Sequence, residues 1–139
     1  VIEHVHEPGQ VLQRAFELLK PGGALYVDTP NIDAVGHERY GVFWRALEPP
    51  RHLVLFNWHA LERTLHGVGF VRIVHKPRLD VYPWIAASSR AMEQGRDCYA
   101  EKVTAGDRLM ALALSVKMRR SHERSEFVTL LAHKPEDAG

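Results

Sequence analysis

Hydrophobic positions along the chain change their period several times. Behind Pro8-Gly9, residues Val11, Leu12, Ala15, Phe16, Leu18 and Leu19 recur at helical spacing, and Lys20-Pro21-Gly22-Gly23 ends the run with a cation, a helix breaker and a flexible turn. An amphipathic helix of about three turns is expected there. "ALYVDTP" (24–30) is then short and almost continuously apolar, which suits a strand covered on both faces, as in a parallel sheet. From Asn31 to Pro50 polar and aromatic residues alternate around Gly36, Gly41 and Pro49-Pro50, the pattern of a long functional loop above the carboxyl end of that strand. Asn57 is placed to cap a second helix of about ten residues, with Leu61, Leu65 and Val68 on one face and Gly67 or Gly69 as its stop. "FVRIVHK" (70–76) and "EFVTLLAHK" (126–134) read as strands. Between them "DRLMALALSVKMRR" (107–120) has helical periodicity and ends on cations that suit the helix dipole. The order is helix, strand, helix, strand, a helical insertion at about 80–122, strand. With no repeat, low-complexity tract or linker, residues 1–139 read as a single domain.

Composition narrows the classes without choosing among them. A chain of 139 residues can bury a workable core, and 45% apolar with 25% charged residues is ordinary for a globular protein. No apolar run approaches the ~18 residues of a membrane span, so stable membrane insertion is not expected. The apolar body and basic end of 107–120 would also suit an interfacial helix, but a buried helix capping the sheet is the better reading. The single cysteine, Cys98, excludes an internal disulfide and a multi-cysteine zinc site, and no secretory signal opens the chain; a reducing, cytoplasmic setting is expected. Net charge is +1, and the basic residues are dispersed except in "KMRRSHER" (117–124), which leaves a nucleic-acid surface without electrostatic support.

Several elements occur together in an informative order: Ile2-Glu3-His4-Val5, Lys20 to Gly23, Pro30-Asn31, Pro49-Pro50-Arg51-His52 and Gly69-Phe70. In this order and spacing they closely resemble the second half of class I S-adenosylmethionine-dependent methyltransferases, in the small-molecule group that includes the ubiquinone-pathway type, over residues 1 to 75. The resemblance implies an α/β fold, a partial Rossmann-like sheet made of the family's last three strands with helices and the helical insertion. Strands at 24–29 and 70–75 would run parallel, with 126–133 antiparallel between them. It also implies S-adenosylmethionine as cofactor. The family's glycine-rich turn and ribose-binding acid would precede residue 1, and no Gly-x-Gly-x-x-Gly cluster occurs here; Gly22-Gly23 follows a helix instead of joining a strand to one. The chain therefore reads as the carboxyl-terminal part of a methyltransferase domain, truncated before its main cofactor motif. The edge of 24–29 would then be open to self-association into a homo-oligomer, unless the remainder of a longer polypeptide covers it.

Ligands of open α/β sheets lie outside the carboxyl ends of the strands, which directs attention to Glu3-His4, Asp28 to Asn31 and the following loop. His4 is a candidate general base, and His52, held behind a rigid Pro-Pro pair, is a second; each could instead fix a loop by bonding its backbone. By the resemblance, Ile2 and Glu3 border the cofactor, while Asn31, Tyr40, Trp44 and Arg51 face a small-molecule substrate. Phe43, Tyr40 and Trp44 could equally form a buried aromatic cluster. "EHVHE" (3–7) would put His4 and His6 on one face if extended, yet it lacks a third ligand with an interpretable spacing, so no metal is expected. The leading expectation is methyl transfer to a small molecule, with this chain on the substrate side. The alternatives are a non-catalytic binding fragment and, behind it, a metal-dependent enzyme using His4 and His6.

Overall fold

The computed structural model describes residues 1–76, 78, 81–118 and 122–136. Its elements are α1 (Pro8–Leu18), β1 (Ala24–Pro30), α2 (Val35–Tyr40), α3 (Trp58–Val68), β2 (Val71–His75), α4 (Tyr82–Glu93), α5 (Ala105–Met118) and β3 (Phe127–His133), with 3-10 turns at Ile2–His4, Gly41–Phe43, Arg45–Leu47 and His122–Arg124. The cations at 119 and 120, expected to end the insertion helix, lie outside the described residues.

The strands form a three-stranded sheet in the order β1-β3-β2. β3 is antiparallel to both neighbours, so β1 and β2 point the same way, the arrangement that the sequence resemblance implies. β1 and β3 pair without a break from Ala24 opposite His133 to Pro30 opposite Phe127. β2 is less regular. Its register shifts between Val71, opposite His133, and Val74, opposite Leu131, and Arg72 sits between them at φ 47°, a bulge that bends the strand.

β3 has the buried, near-continuous apolar character of a central strand: Val128, Thr129, Leu130 and Ala132 are all buried. β1 departs from the expectation of cover on both faces. Val27, Thr29 and Pro30 are buried, but Tyr26 is 56% exposed, because among the described residues β1 pairs on the β3 side alone.

Helices α1 and α3 share one core with the sheet, built from Leu12, Val27, Leu61, Leu65, Phe70 and Leu130. The Phe16 ring meets Phe70 edge-on at 5.0 Å. Lys134 Nζ donates to the carbonyls of Phe16 and Leu19, each at 2.9 Å, satisfying backbone acceptors at the end of α1 that would otherwise be orphaned. α3 begins as its sequence predicts, with Asn57 Oδ1 accepting the Ala60 amide at 2.9 Å. Its stop falls on Gly69, whose φ of 113° is costly for any residue with a Cβ.

The stretch expected as one long loop is more ordered than its composition suggests. It contains α2 and two 3-10 turns wrapped around a second core of Ala34, Trp44, Ala46 and Ile85. That core is closed by Glu126, which leads into β3. One carboxylate oxygen accepts the Gly36 amide and the other the Trp44 indole N–H, both at 2.8 Å. Burial pushes the Glu126 carboxyl above its ordinary value, against the pull of these two donors.

The insertion consists of two helices. The sequence pattern indicated α5, whereas α4, opened by Tyr82-Pro83, had no clean period: Ile85, Ala86, Ala87, Ser88, Ser89 and Ala91 are all buried. Arg90 on α4 donates to both carboxylate oxygens of Asp107 on α5, at 2.5 and 3.1 Å, and Thr104 caps the same carboxylate. Leu109 and Val116 on α5 remain exposed, in contrast to the buried cap expected of this helix. Among the described residues no helix is long and apolar enough to cross a membrane.

A Cβ at Gly36 would fall 2.4 Å from Glu126 Oε2 and 2.8 Å from the Trp44 indole nitrogen, neither of which can retreat without breaking the bond between them. Gly36→Ala should therefore cost about 1–3 kcal/mol of stability by overpacking, read as a shift in the urea midpoint. Gly9→Ala, with nothing within 4 Å of its Cβ, should stay within ~0.5 kcal/mol of the parent chain.

Candidate active site

Two distant segments are clamped together through one carbonyl. The oxygen of Glu3, in the first 3-10 turn, accepts the amides of Leu53 at 2.7 Å and Val54 at 3.3 Å. Just before them Glu48, at φ 39° and ψ 48°, turns the chain, and its carbonyl takes the amides of Arg51 and His52. The Pro49-Pro50 peptide between is cis. The clamp sets the His4 and His52 rings 4.8 Å apart, tilted by 58°.

Both imidazoles are oriented the same way. His4 Nδ1 lies 2.9 Å from the Arg51 carbonyl and His52 Nδ1 lies 2.8 Å from the Ala46 carbonyl. A carbonyl only accepts, so both Nδ1 atoms carry the hydrogen and both Nε2 atoms are the exchangeable ends. His4 Nε2 faces Glu3 Oε1 at 3.4 Å, and His52 Nε2 faces Glu48 Oε2 at 3.3 Å.

The carboxylates are held at their far oxygens. Glu3 Oε2 accepts from the Thr29 hydroxyl at 3.1 Å. Glu48 Oε1 takes Arg45 Nη1 at 2.5 Å. Burial opposes ionisation there, and the hydrogen bond and charge of Arg45, with Arg51 and His52 adding to it, win and lower that carboxyl. Arg45 is itself buried; it donates to the Tyr99 hydroxyl at 3.0 Å and lies over the Trp84 and Tyr99 rings.

These groups border a pocket of about 240 Å³ walled by Pro30, Ala46, Trp84, Ile85 and Phe127. Trp84, 47% exposed, leaves an aromatic face for a planar or cationic ligand.

Of the residues expected at a site, the structure brings Glu3, His4 and His52 together at the pocket. Ile2 is buried in the core beside them. Arg51 lends its carbonyl to His4, while its own side chain is exposed and reaches Glu48 at 3.4 Å. Asn31 is buried, its amide spent on the Glu123 and Ser125 carbonyls at 2.7 and 2.8 Å. Trp44 is fully buried against Glu126, and Tyr40 lines a separate cavity between α2, α4 and α5. His6 is exposed, outside the Glu3–His4–His52 group. Sequence reasoning missed Arg45, Glu48 and Trp84. The first two carried a signal, since Arg45, Glu48 and His52 stand at intervals of three and four residues ahead of and across the Pro-Pro turn.

A family model described as a methyltransferase domain matches residues 1–76. No curated protein matches the chain. Among solved structures, Haemonchus contortus phosphoethanolamine N-methyltransferase 2 in complex with S-adenosyl-L-methionine is similar at a TM-score of 0.50 and 16% identity, over 98% of this chain and 32% of that one. The same enzyme in complex with phosphomonomethylethanolamine and S-adenosylhomocysteine gives 0.49 and 15%, over 97% and 32%. The first likeness is one of fold, that of a Rossmann-like methyltransferase. The chain spans about a third of the length of these structures, 32% in each case.

The pH response of Glu48 follows from its lowered carboxyl. Its ordinary value is 4.5, so the stability it contributes is complete above that pH and is lost as pH falls through the lower value in the fold. Glu48→Gln should destabilise the chain at neutral pH by about 1–3 kcal/mol, because buried Arg45 loses its charged acceptor. The difference from the parent should close as the medium is acidified below 4.5, measured by urea unfolding at each pH.

Proposed function

Because this chain belongs to the methyltransferase-domain family, with the family model matching residues 1–76, we propose that it supplies the acceptor side of a site for S-adenosylmethionine-dependent methyl transfer to a small molecule. The observation that carries the reading is the pair of imidazoles, both anchored at Nδ1 and both lining the pocket. The reading includes a reducing, cytoplasmic setting for the half-buried Cys98.

The residues present do not by themselves fit the cofactor. A pocket of about 240 Å³ is smaller than the ~300–1,000 Å³ of ordinary ligand sites and has no room for a nucleoside together with an acceptor. Gly36, at the junction of β1 and α2, is closed off by Glu126 and Trp44 and offers no cradle. S-adenosylmethionine supplies an electrophilic methyl group when bound, and we place its main contacts in a longer polypeptide of which these residues are the carboxyl-terminal part. On this chain Ile2 and Glu3 border the cofactor side. His4 and His52 take the acceptor's proton at Nε2, and Trp84 and Phe127 confine the acceptor so that its nucleophile stays aligned. Asn31, Tyr40 and Trp44 support the acceptor side by shaping the covering segment, and Arg51 does so by fixing His4.

A second reading, a fragment that folds but cannot hold the cofactor, is favoured by the open edge of β1. Beside that edge an apolar groove of about 350 Å³ is lined by Ile2, Val11, Leu12, Leu25 and Val27. Either a second copy or the remainder of a longer polypeptide would cover it; a standard interface buries roughly 800 Å² per partner.

Three outcomes test this. In isothermal titration the isolated chain should bind S-adenosylmethionine more weakly than millimolar, and a micromolar constant would overturn the truncated reading. In the complete polypeptide, His4→Ala or His52→Ala should reduce kcat about 10²–10⁴-fold with little change in KM. Unchanged kcat in both would remove the imidazoles from the reaction. Sedimentation of residues 1–139 at micromolar concentration should show self-association; a monomer with the amides of 24–29 protected would mean that the edge is covered from within.

A further inference from the structure

The donors around the two imidazoles are arranged in a way that proton transfer does not require. One ligand atom each from Glu3, His4 and His52 lies within 4.8 Å of the other two. From the geometry we infer that Glu3 Oε1, His4 Nε2 and His52 Nε2 form a binding site for a divalent transition-metal ion, zinc being the ion best matched to two imidazoles and a carboxylate. The inference concerns the same pocket as the methyl-transfer reading but does not depend on methyl transfer.

Three features carry it. First, each ligand is gripped at its other end: the two Nδ1–H groups by backbone carbonyls, and Glu3 Oε2 by the Thr29 hydroxyl. Metal-binding histidines show this second grip as a rule, since it fixes the tautomer and aims the free nitrogen. Second, the Glu3–His4 spacing suits the ion. Bonds of ~2.0–2.1 Å in a tetrahedron place neighbouring donors about 3.3 Å apart, and His4 Nε2 stands 3.4 Å from Glu3 Oε1. Third, both Nε2 atoms face carboxylate oxygens. With Nδ1 carrying the hydrogen, each Nε2 directs its lone pair toward the carboxylate, and a cation held between the two is bound by both. A metal ion would satisfy all of these donors at once, and Glu48 Oε2, 3.3 Å from His52 Nε2, stands ready as a further oxygen donor.

With three protein ligands the ion keeps a position open toward the pocket, as catalytic zinc sites do, and a hydroxyl or carboxylate oxygen of a ligand would fill it. In that state the imidazoles are ligands and no longer bases, so metal loading should compete with the proton-transfer role proposed above.

The test is titration of metal-free chain with Zn²⁺ by calorimetry at about pH 7.5, where ordinary histidines are mostly neutral. No S-adenosylmethionine or acceptor is present, so the result is independent of methyl transfer. One equivalent should bind. His4→Asn and His52→Asn should each weaken binding at least ~10-fold, and His6→Asn should leave it unchanged. His4, the more exposed of the two, gives the deciding variant if replacing the buried His52 prevents folding, a point circular dichroism settles. Absence of binding by the parent chain, retention of affinity in a folded His4→Asn variant, or loss in His6→Asn would each overturn the site.

Discussion

The Glu3 carbonyl is the contact on which the site depends. It accepts two amides, those of Leu53 and Val54, about fifty residues further along the chain. Neither segment belongs to a helix of several turns or to a strand that would hold it; residues 2–4 make one 3-10 turn. What fixes them is mutual: the turn at residues 2–4 gives up a carbonyl, and the Pro-Pro turn gives up two amides and the carbonyl that orients His4. A buried backbone group left unpaired costs about as much as a lost hydrogen bond, so the two turns hold each other with more than side-chain contacts. The imidazole pair is a consequence of that backbone arrangement.

Around it, the last strand organises what comes earlier. β3 enters between β1 and β2, so the sheet is complete only when the end of the described chain has found β1, about a hundred residues earlier, and β2, about sixty residues earlier. Its first residues also reach the covering segment. The Glu126 carbonyl accepts the Asn31 amide, its side chain binds α2 and Trp44, and Phe127 walls the pocket. The buried acid thus couples the central strand to the roof of the site. α4 adds the remaining wall through Trp84 and Ile85 and secures Arg45 by a bond from its amide to the Ser89 hydroxyl at 2.8 Å.

Where a local rule governed, the fold was legible in the sequence. Asn57 and Gly69 bound α3 because capping depends on neighbours within a turn, and the three strands announced themselves by length and apolar content. The parallel sense of β1 and β2 came from the family resemblance, since strand pairing leaves no local mark. α2 and α4 were missed for opposite reasons: α2 is too short for a period to register, and the small residues of α4 are buried almost all round. At the site, His4 and His52 were legible as chemistry, but their meeting was not, because it depends on one long-range backbone contact. Trp44 and Asn31 looked like ligand contacts and turn out to be bonded within the fold, Trp44 to Glu126 and Asn31 to the segment before β3. Glu48 and Arg45 went unnoticed, since charged residues in a loop are ordinarily solvated and these are withdrawn by each other.

The central claim is that the two turns present a pair of imidazoles in contact, both hydrogen-bonded at Nδ1. Long-range ¹⁵N–¹H imidazole spectra of the metal-free chain, recorded at mildly alkaline pH with ring-to-ring NOEs, test it directly. The account predicts the Nδ1–H tautomer for both His4 and His52 and an NOE between their rings. The Nε2–H tautomer in either ring, or the absence of any contact between them, would contradict it.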